Sequence, residues 1–276
     1  MNLCGHTMGT PESDVFQAAE LLSRIGYDGI EIICASDYNC AIHVGWSEEE
    51  LNRLRLHLER IQLKVACVTP YLYQINAADP DARHACLQQA EHIIRMASLL
   101  QAQGIRILAG TGVKGDRTEA EAILVDSLQR LSSFAEPYGV ELWLENHNGS
   151  LADSAAATAD LVKRVERPNV GIVYDQTNLT ELHAEETELA LQLQLPYIRH
   201  VHAKAKAWSD RGSKATLFGE GQVNVQWEPI IRRLQDAGYD GYVCYEYERR
   251  WAPDLLPLAD TGMAHGFQYL SRLIRS

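Results

Sequence analysis

Four residues that could together hold a divalent cation lie at or near the ends of apolar runs in the second half of the chain. Glu145 follows VELWL, Asp175 follows GIVY, His202 lies in IRHVHA and Glu246 follows YVCY. An ionised carboxylate in an apolar strand is costly unless it is paired or bound to a metal. Three carboxylates and one imidazole suit a cation of intermediate hardness; Mn²⁺ fits best, and Mg²⁺, Co²⁺ and Zn²⁺ stay open. We therefore expect one divalent metal ion at these four residues, with coordination positions left for substrate oxygens.

A repeating pattern of apolar runs and amphipathic stretches must position these side chains. The predicted strands are 2–8, 29–34, 64–71, 105–110, 140–147, 170–175, 198–204 and 242–247. The predicted helices are 13–25, 47–61, 80–103, 118–138, 153–165, 184–195, 225–237 and 256–274. Eight strands alternating with eight helices predict an α/β fold, a single (β/α)8 TIM barrel over 1–276. An open doubly wound sheet is the alternative, but no G-x-G-x-x-G turn follows the first strand.

In such a barrel, side chains at the carboxyl ends of the strands point into the catalytic mouth. His147 is two residues beyond Glu145, a spacing that predicts the same face, where it either contacts substrate or is a structural histidine. Lys204 has the same relation to His202, so it either meets a substrate oxyanion or enolate or is solvated. His6 ends the first strand and is a further candidate for the substrate pocket.

Two other ionisable residues lie deeper in the predicted strands. Glu31 is in the second strand, and we expect it to hold a hydrogen-bond network inside the barrel. His200 points the same way as His202 but lies further from the mouth, which favours a core or supporting role over metal ligation.

Charge and cysteine content bound the class of protein. The net charge is −12 and no basic patch is visible, which disfavours a nucleic-acid partner. Six cysteines without a C-x-x-C pair are typical of reduced, mostly buried thiols. Residues 1–10 lack the pattern of a secretory signal, and no segment has the ~18 uninterrupted apolar residues of a membrane span. We expect a cytoplasmic protein without a membrane partner.

Five motifs carry a resemblance to a known family. They are LENHNG at 144–149, GIVYDQTN at 171–178, HVHAKA at 200–205, GEGQV at 219–223 and GYDGYVCYEYE at 238–248. Together they resemble the sugar phosphate isomerase/epimerase group of the xylose-isomerase-like TIM barrel superfamily. That superfamily includes ketose 3-epimerases, hydroxypyruvate isomerases, inosose dehydratases and isomerases, and endonuclease IV. The likeness extends from GYDGIEI at 26–32 to the last strand.

Carried over by position, the resemblance implies metal ligands at Glu145, Asp175, His202 and Glu246, with the two glutamates also acting as the catalytic acid/base pair. One position departs from the pattern. The epimerase and isomerase branches usually have a substrate-contacting histidine three residues after the aspartate, where this chain has Asn178. Asparagine can hydrogen-bond a hydroxyl or carbonyl group, but it cannot shuttle a proton near neutral pH.

The resemblance implies an isomerase or epimerase that acts on a keto-sugar or related polyol by α-proton abstraction through a metal-stabilised enediolate. The same site could instead serve a lyase or dehydratase acting on a keto-sugar, an inosose or a 3-keto-glycoside. A nuclease like endonuclease IV would need more histidines, three zinc ions and a basic face, and a non-catalytic sugar-binding barrel is the remaining class. A homodimer or higher homo-oligomer stays open. The loop aromatics Trp46, Tyr71, Trp208 and Phe218 either pack on an apolar sugar face or are structural. The role of Glu220 stays open, and Arg249 and Arg250 either bind an anion or face water.

Overall fold

Parallel strands close into a barrel in the computed structural model, which describes residues 1–111, 115–210 and 212–275. The strands are β1 (Asn2–His6), β2 (Gly29–Cys34), β3 (Lys64–Pro70), β4 (Gly104–Leu108), β5 (Glu141–Glu145), β6 (Val170–Tyr174), β7 (Ile198–Ala203), β8 (Lys206–Ser209), β9 (Gly212–Ala215) and β10 (Tyr242–Tyr245). β1 pairs with both β2 and β10, which closes the ring. Within the described residues the barrel has eight strands in the order β1-β10-β7-β6-β5-β4-β3-β2, which confirms the predicted (β/α)8 TIM barrel.

The helices surround the barrel and pack their apolar faces on the strands. They are α1 (Val15–Ile25), α2 (Glu48–Arg60), α3 (Pro80–Leu99), α4 (Arg117–Ala135), α5 (Ala155–Val165), α6 (Gln176–His183), α7 (Thr187–Gln194), α8 (Trp227–Asp236) and α9 (Ala259–Arg275). One buried apolar cluster includes residues from both layers, among them Leu22, Ile30, Ile93, Leu128 and Ile231. The core between strands and helices is therefore apolar, and the polar side chains of interest lie inside the barrel.

Two helix ends that the sequence predicts have the expected capping contacts. Ser47 accepts a hydrogen bond from the backbone of Glu50 at the start of α2, and the Glu50 side chain accepts one from the Ser47 backbone. Gly26 ends α1 with φ 110°, a left-handed conformation that favours glycine because a Cβ would be strained there.

Two elements of the structure are absent from the predicted set, apart from differences in element bounds. The single helix predicted at 184–195 is preceded by α6, which Asp175 caps and which Ala184 ends with φ 50°. Residues 176–183 are mostly polar, so they lack the apolar periodicity on which the prediction relied. A short hairpin of β8 and β9 also extends from the loop after β7, so Trp208 lies on a strand rather than in a loop.

The six cysteines of the described residues are free thiols and all are buried, as predicted. Within those residues, the helices include none that combines the length and the apolar character needed to cross a bilayer.

Candidate metal and active site

The four predicted metal ligands converge at the carboxyl-terminal mouth of the barrel. Glu145 is the last residue of β5, His202 lies in β7, and Glu246 follows β10 directly. Asp175 follows β6 and caps α6 by accepting the backbone N–H of Asn178. One donor atom from each of the four lies within 4.8 Å of the others, and all four side chains are buried. Strand register brings together residues that are up to 101 positions apart in the chain.

His202 is held between carboxylates on both sides of its ring. Its Nδ1 atom lies 3.1 Å from Glu145 Oε1 and 3.1 Å from Glu246 Oε2. Its Nε2 atom lies 3.0 Å from Glu31 Oε1. Nδ1 therefore faces the acidic group at the mouth, while Nε2 is engaged one layer deeper.

Glu31 organises that deeper layer, as the sequence predicts. The hydroxyl of Thr69 donates a hydrogen bond to Glu31, and His200 Nε2 lies 2.7 Å from Glu31 Oε2. His6 Nε2 lies 3.5 Å from the other oxygen of the same carboxylate. Burial opposes the charge on Glu31, but the nearby histidines outweigh it and hold the pKa of this carboxyl well below its usual range.

Cysteines also approach this layer, which the sequence reasoning did not anticipate. Cys4 and Cys244 are directly paired across β1 and β10, and their sulfur atoms belong with Glu31 and His200 to a group whose ligand atoms lie within 4.8 Å. The 2.7 Å contact between His200 Nε2 and Glu31 Oε2 is a hydrogen bond. The group of Cys4, Glu31, His200 and Cys244 lies deeper in the barrel than the mouth.

Two buried cations neutralise part of the acidic group. Lys204 Nζ lies 2.8 Å from Asp175 Oδ2 and 3.0 Å from Glu246 Oε2, so Lys204 is buried rather than solvated. Arg106 Nε lies 2.9 Å from Glu145 Oε2. Sequence reasoning missed Arg106, although an arginine inside the apolar strand GIRIL is itself a sign of a buried partner.

The charges shift the pKa values of the group in opposite directions. Burial opposes ionisation of Glu145, but Arg106 and His202 lower its pKa to about 2. Burial also disfavours charge on His202, yet Glu31 and Glu246 raise its pKa well above the ordinary value. For Asp175, burial together with the charges of Glu246 and Glu145 outweighs Lys204 and raises the pKa. Among these three groups, Asp175 is therefore the one whose charged form is disfavoured.

The remaining predicted substrate contacts lie around this centre at different depths. Asn178 is buried; its Nδ2 donates to the Asn146 carbonyl at 3.0 Å, and its Oδ1 accepts from Lys204 at 3.3 Å. Asn146, another residue that the sequence reasoning missed, bonds both the N–H and the carbonyl of Asp175. Asn146 thereby fixes the backbone of Asp175, one of the four predicted metal ligands.

His6 and His147 are the two histidines predicted to contact substrate, and their surroundings differ. His6 is buried, accepts a hydrogen bond from the backbone of Met8, and lies edge-on to His202 with ring centroids 5.8 Å apart. His147 is half-buried and hydrogen-bonds the Asn148 carbonyl at 2.7 Å. β5 ends at Glu145 rather than at His147 as predicted, but His147 is still near enough to contribute to the lowered pKa of Glu145.

The loop residues that the sequence singled out have mixed surroundings. Phe218 is buried, stacks on Tyr269 and contacts Tyr245 at an interplanar angle of 38°. Arg249 bonds Glu12 and three backbone carbonyls, which gives it a structural role. Trp46 stacks on His43, Tyr71 lies beneath Arg106, and Arg250 pairs with Asp37. Trp208 is exposed on the hairpin, and Glu220 lies between two glycines of positive φ.

The curated relatives that match this chain include an inosose dehydratase and an isomerase. An inosose dehydratase from Geobacillus thermodenitrificans is 25% identical over 162 residues, which cover 53% of this chain and 50% of that protein. The chain thus spans about half the length of that relative. A 2-oxo-tetronate isomerase from Haemophilus influenzae is 23% identical over 252 residues, covering 87% of this chain and 89% of that protein.

Solved structures share the fold over almost the whole chain. A D-tagatose 3-epimerase-like protein superposes with a TM-score of 0.81 at 18% identity, covering 100% of this chain and 97% of that one. The IOLI protein with a bound zinc atom has a TM-score of 0.81 at 20% identity, covering 99% and 98%. At such identities the likeness establishes the architecture. The profile described as "Xylose isomerase-like TIM barrel" matches 19–273, which confirms the resemblance, and the chain belongs to that family.

Proposed function

We propose that this protein is a divalent-metal-dependent isomerase or epimerase that acts on a keto-sugar or related polyol. The convergence of Glu145, Asp175, His202 and Glu246 within 4.8 Å, all buried at the carboxyl ends of barrel strands, carries the proposal. This is the face on which TIM barrels place their reacting groups. The names of the relatives, an isomerase and a dehydratase, support sugar-like chemistry.

The donor set fits a metal ion on physical grounds. Among the described residues, Glu145 Oε2, Asp175 Oδ2 and Glu246 Oε2 are buried atoms without a hydrogen bond of acceptable geometry, although each has a cation within 3.0 Å. The three carboxylates and His202 Nδ1 would hold one divalent ion. Its chemistry would be Lewis-acid polarisation of a substrate carbonyl group. Oxygen-rich ligands favour Mn²⁺ or Mg²⁺. Zn²⁺ is a third candidate ion, because the structurally similar IOLI protein binds zinc.

Glu145 and Glu246 are the proposed acid/base pair. They extend from β5 and from the end of β10, which β6 and β7 separate in the ring, so they approach a bound substrate from different sides. One carboxylate would take the proton from a hydroxyl-bearing carbon next to the carbonyl, which leaves an enediol anion. The other would return a proton to the opposite face of that carbon, giving an epimer. It would instead give an isomer by returning a proton to the former carbonyl carbon while the hydroxyl proton moves to the former carbonyl oxygen.

Lys204 and Asn178 are the proposed substrate contacts nearest this pair. Lys204 Nζ can stabilise negative charge that develops on a substrate oxygen, because it is buried and fixed between Asp175 and Glu246. Asn178 can hydrogen-bond a hydroxyl or carbonyl group but cannot relay a proton. His6 and His147 would complete the pocket on the sides of β1 and β5.

A dehydratase is the second candidate, because Lys204 is a buried cation beside Glu246 that can protonate a leaving group. If the substrate carries a hydroxyl group on the carbon β to the carbonyl, its C–O bond can break once the α-proton is removed. The protonated Lys204 amine would give its proton to the departing hydroxyl, which leaves as water, and a double bond forms between the α and β carbons. Inosose dehydratases among the relatives agree with this outcome.

The test combines metal analysis with proton exchange. We expect about one divalent metal per chain, and NMR of a keto-sugar and inosose panel in D₂O to detect deuterium at the α carbon whatever the product. Glu246→Gln should abolish turnover while the protein folds and binds metal. Glu248→Gln is the matched control, because Glu248 pairs with Lys206 at 3.3 Å outside the four-residue group. Turnover by the metal-loaded Glu246→Gln protein would reject the acid/base role, and three metals per chain would favour a nuclease.

A further inference from the structure

A cleft of about 360 Å³ lies near the group of Glu145, Asp175, His202 and Glu246. The proposed reaction does not use this cleft. Its walls carry four aromatic side chains, Tyr38, Tyr71, Tyr73 and Trp251, and we therefore call it the aromatic cleft. Polar side chains share the lining, among them Asp37 and Gln89. The volume is at the small end of ligand pockets, about 300–1,000 Å³, which suits one small ring.

The aromatic cleft opens on the same face as the acidic group. Tyr71 directly follows β3, Tyr38 lies in the loop after β2, and Trp251 lies five residues beyond Glu246. Arg106 joins the two regions: its Nε lies 2.9 Å from Glu145 Oε2, and its guanidinium carbon lies 5.1 Å from the centroid of the Tyr71 ring. The acidic group and the cleft are therefore neighbours, with Arg106 and Tyr71 between them.

The rings form a preassembled platform with open faces. Tyr71 stacks with Tyr38 at 6.0 Å and with Tyr73 at 5.9 Å between ring centroids, and the Tyr38 and Tyr71 hydroxyls are 3.2 Å apart. Trp251 stands nearly perpendicular to Tyr38 at 83°. Arg250 covers Tyr38 with its guanidinium at 3.8 Å. Arg250 also lies over the Trp251 ring at 5.4 Å, but Tyr73 and Trp251 stay 48% and 62% exposed, so each keeps ring surface that a ligand can reach.

We propose that the aromatic cleft is a subsite for a second sugar ring, so that the substrate is a glycoside whose reacting ring lies at the metal group. The inference rests on the proposed function. A pyranose ring has C–H faces that pack on aromatic faces and hydroxyl edges that need hydrogen-bonding groups. The aromatic cleft supplies both, in the Tyr73 and Trp251 faces and in Asp37 and Gln89.

Calorimetric titration of the metal-loaded protein with unreactive sugars tests the subsite. The probes are D-glucose as a single ring and cellobiose, maltose and sucrose as glycosides. We expect at least one disaccharide to bind about tenfold or more tightly than glucose. Trp251→Ala and Tyr73→Ala should each reduce that preference about tenfold, whereas Trp251→Phe, which keeps a ring, should retain most of it.

Leu258→Ala is the matched control, because Leu258 is 61% exposed near the same segment but does not line the cleft. It should leave the disaccharide preference unchanged. Equal affinity for glucose and all three disaccharides would overturn the proposal, as would a preference that survives both alanine variants. Sedimentation provides a further check: loss of self-association in Trp251→Ala with unchanged disaccharide affinity would make the aromatic cleft a protein interface.

The two proposals fail in different ways. If keto-sugars show no deuterium exchange but disaccharide binding depends on Trp251, the reaction is wrong and the subsite stands. If exchange occurs but Trp251 and Tyr73 have no effect on disaccharide binding, the reaction stands and the substrate is a single ring.

Discussion

Glu31 and His202 are in direct contact in the barrel interior, with His202 Nε2 lying 3.0 and 3.1 Å from the two carboxylate oxygens of Glu31. Because Glu31 is ionised and accepts the Nε2–H, the Nδ1 atom of His202 is left to face Glu145 and Glu246. Carboxylates that bond the outer nitrogen of a metal-binding histidine fix its tautomer and ring orientation. Glu31 is thus a positioning residue for the proposed metal centre.

Glu31→Gln should weaken metal binding about 10- to 100-fold, because an amide cannot hold the imidazole as a carboxylate does. The dissociation constant is measured by competition with a chromophoric chelator, and circular dichroism shows that the variant is folded. Glu50→Gln is a control in an exposed helix cap far from the barrel interior. Unchanged affinity in a folded Glu31→Gln protein would remove the positioning role.

Arg106→Met should destabilise the protein by about 3–5 kcal/mol, because it leaves the buried charge of Glu145 without its partner. Urea unfolding measures the loss. Arg55→Met is the comparison: Arg55 pairs with Glu59 on the surface of α2, and its loss should cost no more than about 1 kcal/mol. The double variant Arg106→Met with Glu145→Gln should lose less than the sum of the two single changes. Similar midpoints for Arg106→Met and Arg55→Met would contradict the buried pair.

Acid should remove the stabilising contribution of Glu145. Its folded-state pKa of about 2 lies below the ordinary value of 4.5, so this contribution is present above pH 4.5 and is lost as the pH falls toward 2. The shift corresponds to about 3 kcal/mol. Urea unfolding of the chelator-treated protein between pH 5 and 2.5 should show a smaller loss of stability in Glu145→Gln than in the wild type. Parallel curves for the two proteins would argue against this carboxylate as the source.

The cysteines should be nearly inert toward thiol reagents in the folded protein. Burial raises the pKa of Cys34 to about 12 and that of Cys40 to about 11, which leaves about one thiolate in ten thousand and one in a thousand at pH 8. Labelling with 5,5′-dithiobis(2-nitrobenzoate) should proceed at the rate of unfolding, and six thiols should react in denaturant. Rapid labelling of Cys34 or Cys40 in the native protein would contradict their burial.

The sequence by itself determined the barrel and predicted the four residues of the proposed metal centre, which are three carboxylates and one imidazole. Alternating apolar runs define strands locally, and Glu145, Asp175 and Glu246 each follow such a run. Once the barrel is inferred, parallel strands place those residues at one end of the ring. Helix α6 could not be predicted in this way, because its residues are mostly polar and the Asp175 cap and the packing around it decide its conformation.

Only the tertiary structure decided which charges neutralise one another. Arg106 reaches Glu145 because β4 pairs with β5 in a register that sets Leu108, two residues beyond Arg106, opposite Glu145. Register between strands depends on packing around the whole ring, and a side chain as long as arginine can reach several neighbours. Glu31 likewise lies 171 residues from His202 in sequence. Local periodicity determines which side chains point inward, whereas strand pairing and burial determine which of them meet.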